Sequence, residues 1–265
     1  MSPRQDVLDP HRTPARRRPA RPGDGKDGPV DSRRTVVDVW VLDPHAWDPA
    51  LVRRVLDPVE TSRAALLPAG QADRFVLARA LLRGALGARL GRPAAEVVLR
   101  AVCPACGGQH GRVLVGGTSP TVHVSLTRSG PLLGVALTQA GPVGLDIESV
   151  AAVAAAPLAD VALPPARLAA HRRLPHDAAT AALARTWVIT EAALKARGTG
   201  LRLDPAHVDL AGLTVLPLSL GSDLAGAVVL AVSPPARWWL PGGLGNPQLH
   251  VHEGGAVLDR LLDGR

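Results

Sequence analysis

The sequence predicts an α+β fold: two similar-sized halves joined near residue 140, each with a long helix and several short strands. Three observations lead there. Segments 73–90 and 178–196 read as long helices. Short Val- and Leu-rich runs, read as strands, flank each of them. A chain of 265 residues with 46% hydrophobic content has material for one large domain or two small ones. Aromatics make up only 2%, with no Tyr and a single Phe at position 75, so the core must be Leu, Val and Ala.

In chain order, segment 36–42 reads as a buried strand. Segment 73–90 carries Val76, Ala80, Leu81 and Ala85 at helical spacing, with Arg79 and Arg83 one turn apart on another face. Segment 97–102 is expected as a strand, followed by a Cys- and Gly-rich loop. Segments 121–126 and 132–138 are expected to pair through the turn Arg128-Ser129-Gly130-Pro131. Segment 143–148 is a further short strand and 165–173 a short helix. The long helix 178–196 is stopped by Gly198 and Gly200. Segments 208–210, 213–218 and 225–232 read as strands of a second sheet. Segment 1–34 is rich in Pro, Arg and Gly without a periodic apolar face, which predicts a disordered basic tail.

Of the net charge of +7, nine basic and five acidic residues in 1–34 supply +4, leaving the body mildly basic at +3. That balance, and the scarcity of aromatics for base stacking, argue against a specific nucleic-acid partner. No apolar run is long enough to span a bilayer, and the first 34 residues lack the apolar core of a secretory signal. With only two cysteines besides, the expectation is a cytoplasmic protein with no membrane partner.

Two segments concentrate chemistry. In Pro142-Val143-Gly144-Leu145-Asp146-Ile147-Glu148, strand alternation puts Asp146 and Glu148 on one face and Leu145 and Ile147 on the other. Two carboxylates so close repel unless a cation sits between them, and beside phosphates the usual cation is Mg²⁺. An isolated Asp-x-Glu is more often a pair of solvated acids. On the long helix, Trp187, Glu191 and Lys195 form one stripe. Alone, Glu191 and Lys195 make an ordinary surface ion pair contributing ~0.3–0.5 kcal/mol.

Together the segments offer three carboxylates and an ammonium, a set that suits a hard cation beside a phosphorylated substrate. Lys26 and Lys195 are the only lysines, and two of the five glutamates (Glu60, Glu96, Glu148, Glu191, Glu253) fall in these segments. In an Arg-rich chain, a lysine that persists fits a need for a compact ammonium. Cys103, Cys106 and His110, with His123 as a fourth, could bind zinc, but the second ligand pair is looser than in zinc knuckles.

Gly144-Leu145-Asp146-Ile147-Glu148, followed by Trp187-Val188-Ile189-Thr190-Glu191-Ala192-Ala193-Leu194-Lys195-Ala196-Arg197-Gly198-Thr199-Gly200-Leu201, resembles the paired motif of the 4′-phosphopantetheinyl transferases. The likeness is to the broad-specificity type that activates peptide and polyketide synthases. The likeness extends upstream to Arg74-Phe75 and Ala78-Arg79-Ala80-Leu81-Leu82-Arg83, to the loop 103–112, and to Val122-His123-Val124-Ser125-Leu126-Thr127-Arg128-Ser129-Gly130. It spans roughly residues 36–232 in the right order.

The resemblance implies a pseudo-twofold pair of similar α+β subdomains, 35–140 and 141–265, each a small antiparallel sheet packed on a long helix. It implies a monomer, since both halves of the cleft lie in one chain. It implies binding of coenzyme A and Mg²⁺ between the halves, and transfer of the phosphopantetheine arm to a serine of an acyl or peptidyl carrier protein in secondary metabolism. By position, Asp146, Glu148 and Glu191 would hold the metal. Asp146, Glu191 and Lys195 would be catalytic, Glu191 or a metal-bound water taking the serine proton and Lys195 neutralising the α-phosphate. Arg74, Arg79, Arg112, Thr127, Arg128 and Lys195 would bind coenzyme A. The Cys103–Cys106–His110 loop would line the substrate pocket.

Three positions depart from the pattern: Arg128 replaces a histidine, Val113 a proline and Thr190 a lysine. The last removes one charge-assisted contact, worth ~1.5–3 kcal/mol. Restoring a lysine at Thr190 is therefore expected to tighten coenzyme A binding. The alternative function is a degenerate homologue that binds coenzyme A or a carrier protein without turnover.

Overall fold

The computed structural model describes residues 35–103, 105–232 and 247–263; the predicted basic tail 1–34 lies outside them. The α+β class holds. The first strand, β1 (Val36–Leu42), leads through α1 (Pro49–Val52) and α2 (Pro58–Ala65) into the long helix α3 (Ala69–Leu90). Asp57 caps α2 reciprocally with Glu60, which fixes where that helix starts. The expected strand over 97–102 is only β2 (Leu99–Arg100), because its partner β3 (Leu114–Val115) offers two residues to pair with. Then come β4 (His123–Thr127), β5 (Leu133–Thr138) and β6 (Val143–Ser149), as read from the sequence.

Short helices α4 (Val150–Ala155), α5 (Ala159–Ala162) and α6 (Pro165–His171) precede the second long helix, α7 (His176–Arg197). Gly198 ends α7 in the left-handed conformation, φ 71°, where a side chain would be strained. Strands β7 (Thr214–Pro217) and β8 (Leu224–Leu230) follow. Segment 208–210 is not a strand. Asp209 accepts from the Ala211 amide and Gly212 takes φ 72°, so the chain turns there instead of extending. The chain closes with β9 (Gln248–Glu253) and α8 (Gly255–Leu262), neither of which the sequence reading anticipated.

The first sheet runs β4-β5-β1-β9 and the second β6-β8-β7. All pairings are antiparallel except one: β9 lies parallel to β1, with Asp38 opposite His250 and Trp40 opposite His252. The first sheet is thus mixed where a purely antiparallel one was expected.

Alternation then builds layers. Leu133, Val135 and Leu137 of β5 pack on α3, while Ala136 turns the other way with Val37 and Val39. Those three meet Val143, Leu145 and Ile147 of β6 and Val228 and Leu230 of β8. The far face of the second sheet, with Ala227 and Val229, packs on α7 through Ala184, Val188 and Ala192. The order is α3, first sheet, second sheet, α7. Arg83, expected on a separate helix face, is fully buried. It donates to Glu60 Oε2 (2.6 Å), Asp57 Oδ2 (2.7 Å) and the Val97 carbonyl (2.8 Å), tying α2 to α3.

Candidate active site

β6 gives its apolar residues to the contact with the first sheet, so Gly144, Asp146 and Glu148 face α7. At Gly144 the helix lies directly on the strand. A Cβ there would stand 1.8 Å from the Ala192 carbonyl oxygen and 2.7 Å from the Ala196 nitrogen, so only glycine permits this approach. It brings the β6 carboxylates under Glu191 and Lys195.

Asp146 is 1% exposed. Its Oδ1 accepts from Lys195 Nζ at 2.7 Å and from the Thr127 hydroxyl at 3.1 Å. Lys195 also donates to the Leu145 carbonyl at 3.0 Å, which fixes the ammonium against the strand. The other carboxylate oxygen, Oδ2, is buried with no hydrogen-bond partner among the described residues. A desolvated carboxylate oxygen without a donor is costly unless a cation meets it. Glu148 accepts from the Ser129 hydroxyl at 2.7 Å. The turn carrying Ser129 packs tightly on β6, for a Cβ on Gly130 would lie 2.2 Å from the Ile147 carbonyl oxygen.

Burial raises the pKa of Glu191 first; Lys195 opposes, and Asp146 and Glu148 push the same way as burial. Burial likewise raises Glu148, with Ser129 opposing. Asp146, Glu148 and Glu191 thus feel one another's charge in a desolvated place, with the Lys195 ammonium paired to Asp146. Oxygen ligands of this kind and number suit a hard divalent cation such as Mg²⁺.

Beside this group opens a cleft of about 580 Å³. Its lining includes six cations: Arg63, Arg79, Arg112, Arg128, Lys195 and Arg202. Arg63, Arg79 and Arg128 all stand over the Phe75 ring, at 5.4, 5.3 and 5.4 Å from its centre. Burial pushes Arg79 down to about 10, against the pull of Glu60, and Arg128 and Arg63 add to the depression. Cations crowded at the cost of their own charging prepare a place for polyanions. Arg112 donates to the Ala196 carbonyl at 3.1 Å, holding its loop against the end of α7.

The structure brings Asp146, Glu148, Glu191 and Lys195 together, and places Arg79, Arg112, Arg128 and Lys195 on the cleft. Arg74 and Thr127 are absent from its lining. Arg74 instead donates to the Arg128 carbonyl at 2.8 Å and to the Gly130 carbonyl, bracing the turn. Thr127, 1% exposed, orients Asp146.

Sequence reasoning missed Arg63, Arg202 and Ser129. Ser129 was legible as the turn residue next to Arg128, whereas nothing in the α2 sequence marks Arg63 as different from its neighbours. Thr190 is 6% exposed and does not line the cleft. A lysine there would start from a packed position, so Thr190→Lys is expected to lower stability without tightening coenzyme A binding. A thermal melt and a binding titration of the variant check this.

Among the described residues no helix is long and apolar enough to cross a membrane. No curated protein matches the chain. Residues 142–227, the segment that carries Asp146, Glu148, Glu191 and Lys195, match the family model of the 4′-phosphopantetheinyl transferase superfamily.

Proposed function

We propose that the protein is a broad-specificity, Mg²⁺-dependent transferase that moves the 4′-phosphopantetheine arm of coenzyme A onto a serine of an acyl or peptidyl carrier protein. The family match supports phosphopantetheine transfer in general. The observation that carries the finer reading is the buried, partnerless Oδ2 of Asp146 beside Glu148 and Glu191, at the edge of a cleft lined by six cations. Coenzyme A carries a diphosphate and a 3′-phosphate, and the guanidinium groups of Arg63, Arg79, Arg112 and Arg128 match such a polyanion.

Asp146, Glu148 and Glu191 would hold Mg²⁺, which supplies charge neutralisation for the diphosphate oxygens. Serine Oγ bonds to the phosphorus bearing the pantetheine arm. The bond from that phosphorus to the bridging oxygen breaks, and adenosine 3′,5′-bisphosphate leaves. The serine proton passes to a Glu191 oxygen, whose burial makes it a better base than an ordinary carboxylate. Lys195, held at the Leu145 carbonyl, would neutralise the α-phosphate as negative charge grows on it. We place the reaction in the cytoplasm and take the monomer as the active form.

The test is intact mass spectrometry of an apo carrier protein after incubation with coenzyme A and Mg²⁺. A gain of one phosphopantetheine arm that vanishes without Mg²⁺ supports the proposal. No gain on several carriers, with coenzyme A still bound in calorimetry, sinks it in favour of a binder without turnover.

A pH dependence follows from Glu148 and Glu191. Their folded-state pKa values are raised, so the metal-free folded protein holds protons more tightly than the unfolded chain. Its stability should fall as pH rises from the ordinary glutamate pKa through the raised ones. The rise in melting temperature caused by Mg²⁺ should grow over the same window, since the cation needs the ionised forms. Melts with Mg²⁺ and with chelator across acidic to neutral pH check both signs.

A further inference from the structure

The loop between β2 and β3 carries a cluster that the transfer reaction does not use. Cys103, Cys106 and His110 each offer a ligand atom, and the three atoms lie within 4.8 Å of one another. Both thiols are free, Cys106 and His110 are exposed, and Cys106 Sγ lies 2.9 Å from His110 Nε2. The local backbone is shaped around sulfur. The Gly107 amide donates to the Cys103 carbonyl at 2.9 Å, and the Cys103 amide to the Gly108 carbonyl at 2.8 Å.

Gly107 takes φ 71°, which reverses the chain after the second cysteine. A Cβ on Gly108 would come within 3.0 Å of His110 Cδ2 and 3.4 Å of Cys106 Sγ, so glycine there keeps the space between the ligands clear. Two sulfurs and an imidazole nitrogen within 4.8 Å of one another form a ready-made soft site.

We propose that Cys103, Cys106 and His110 bind one zinc ion, with the fourth coordination position left to water or a bound ligand. The sequence alone argued against zinc because the second ligand pair is not knuckle-like. The structure replaces that argument, since three ligands already converge and a three-ligand site needs no second pair. Cys103, His110 and Arg112 also line the cationic cleft, so the metal would order one of its walls. The proposal does not depend on the transferase reading.

Asp38, His250 and His252 form a second cluster of close-set ligand atoms that includes histidine, and it must be told apart from this one. The full chain, free of any histidine tag and kept in a non-thiol reductant, should contain about one zinc per chain by elemental analysis. Replacing zinc with Co²⁺ should produce a thiolate-to-metal charge-transfer band. Cys106→Ser and His110→Ala should each lose the zinc and its rise in melting temperature, while His252→Ala keeps them. Circular dichroism confirms that each variant folds. Metal-free protein that takes up no Co²⁺ with a thiolate band overturns the proposal, as does zinc that survives Cys106→Ser or is lost in His252→Ala.

Discussion

Asp146→Asn is expected to lower phosphopantetheine transfer by about 10²–10³-fold or more, the loss seen when one preorganised electrostatic group is removed. The substitution keeps volume and shape. Its amide oxygen still accepts from Lys195 and Thr127, the two partners of Oδ1. The change falls on the partnerless Oδ2, which becomes an NH₂ group and repels a cation instead of holding it. The fold should therefore survive while the Mg²⁺-induced rise in melting temperature disappears. Carrier-protein mass and thermal melts with and without Mg²⁺ measure the two effects. A variant that stays within a few-fold of the parent, with its Mg²⁺ response intact, would remove Asp146 from the site.

Gly144→Ala should cost both stability and rate, without touching any polar group. The new methyl would lie 1.8 Å from the Ala192 carbonyl oxygen, backbone that cannot rotate aside. Either α7 lifts off β6 or the strand bends away. Overpacking of this kind costs about 1–3 kcal/mol, and more against backbone than against a flexible side chain. Glu191 and Lys195 move with α7 while Asp146 and Glu148 stay on β6. A displacement of about 1 Å between them should lower turnover by roughly 10²-fold. Denaturant unfolding and steady-state transfer assays check this. An alanine variant with parental stability and rate would mean that the helix does not rest on the strand at this point.

The legible parts of the molecule were those written in local pattern. The alternation of Leu145 and Ile147 with Asp146 and Glu148 puts the carboxylates on one face of β6, and in the structure that face meets α7. The stripe Trp187, Glu191, Lys195 is half-buried, as its aromatic head suggests. What escaped the sequence depends on distant partners. Strand β9 reads Gln-Leu-His-Val-His-Glu, too polar to announce itself, and exists because β1 offers an edge about two hundred residues earlier. Arg79 is expected on a helix face away from the apolar stripe, yet it is 7% exposed, stacked over Phe75 and crowded by Arg63 and Arg128. Thr190 lies next to Glu191 in sequence, but one helical step turns it from the site into the packed interior.

The return of β9 to β1 also sets a timetable. During synthesis β1 emerges early, yet its outer edge stays unpaired until residues 248–253 leave the ribosome. Helix α8, which packs Val257, Leu258 and Leu261 into the core around α3, comes later still. The first sheet must therefore wait, edge open, while the roughly two hundred residues between β1 and β9 are made. Nascent chains stalled before residue 248 should be sensitive to protease and bind chaperones, and full-length chains should not.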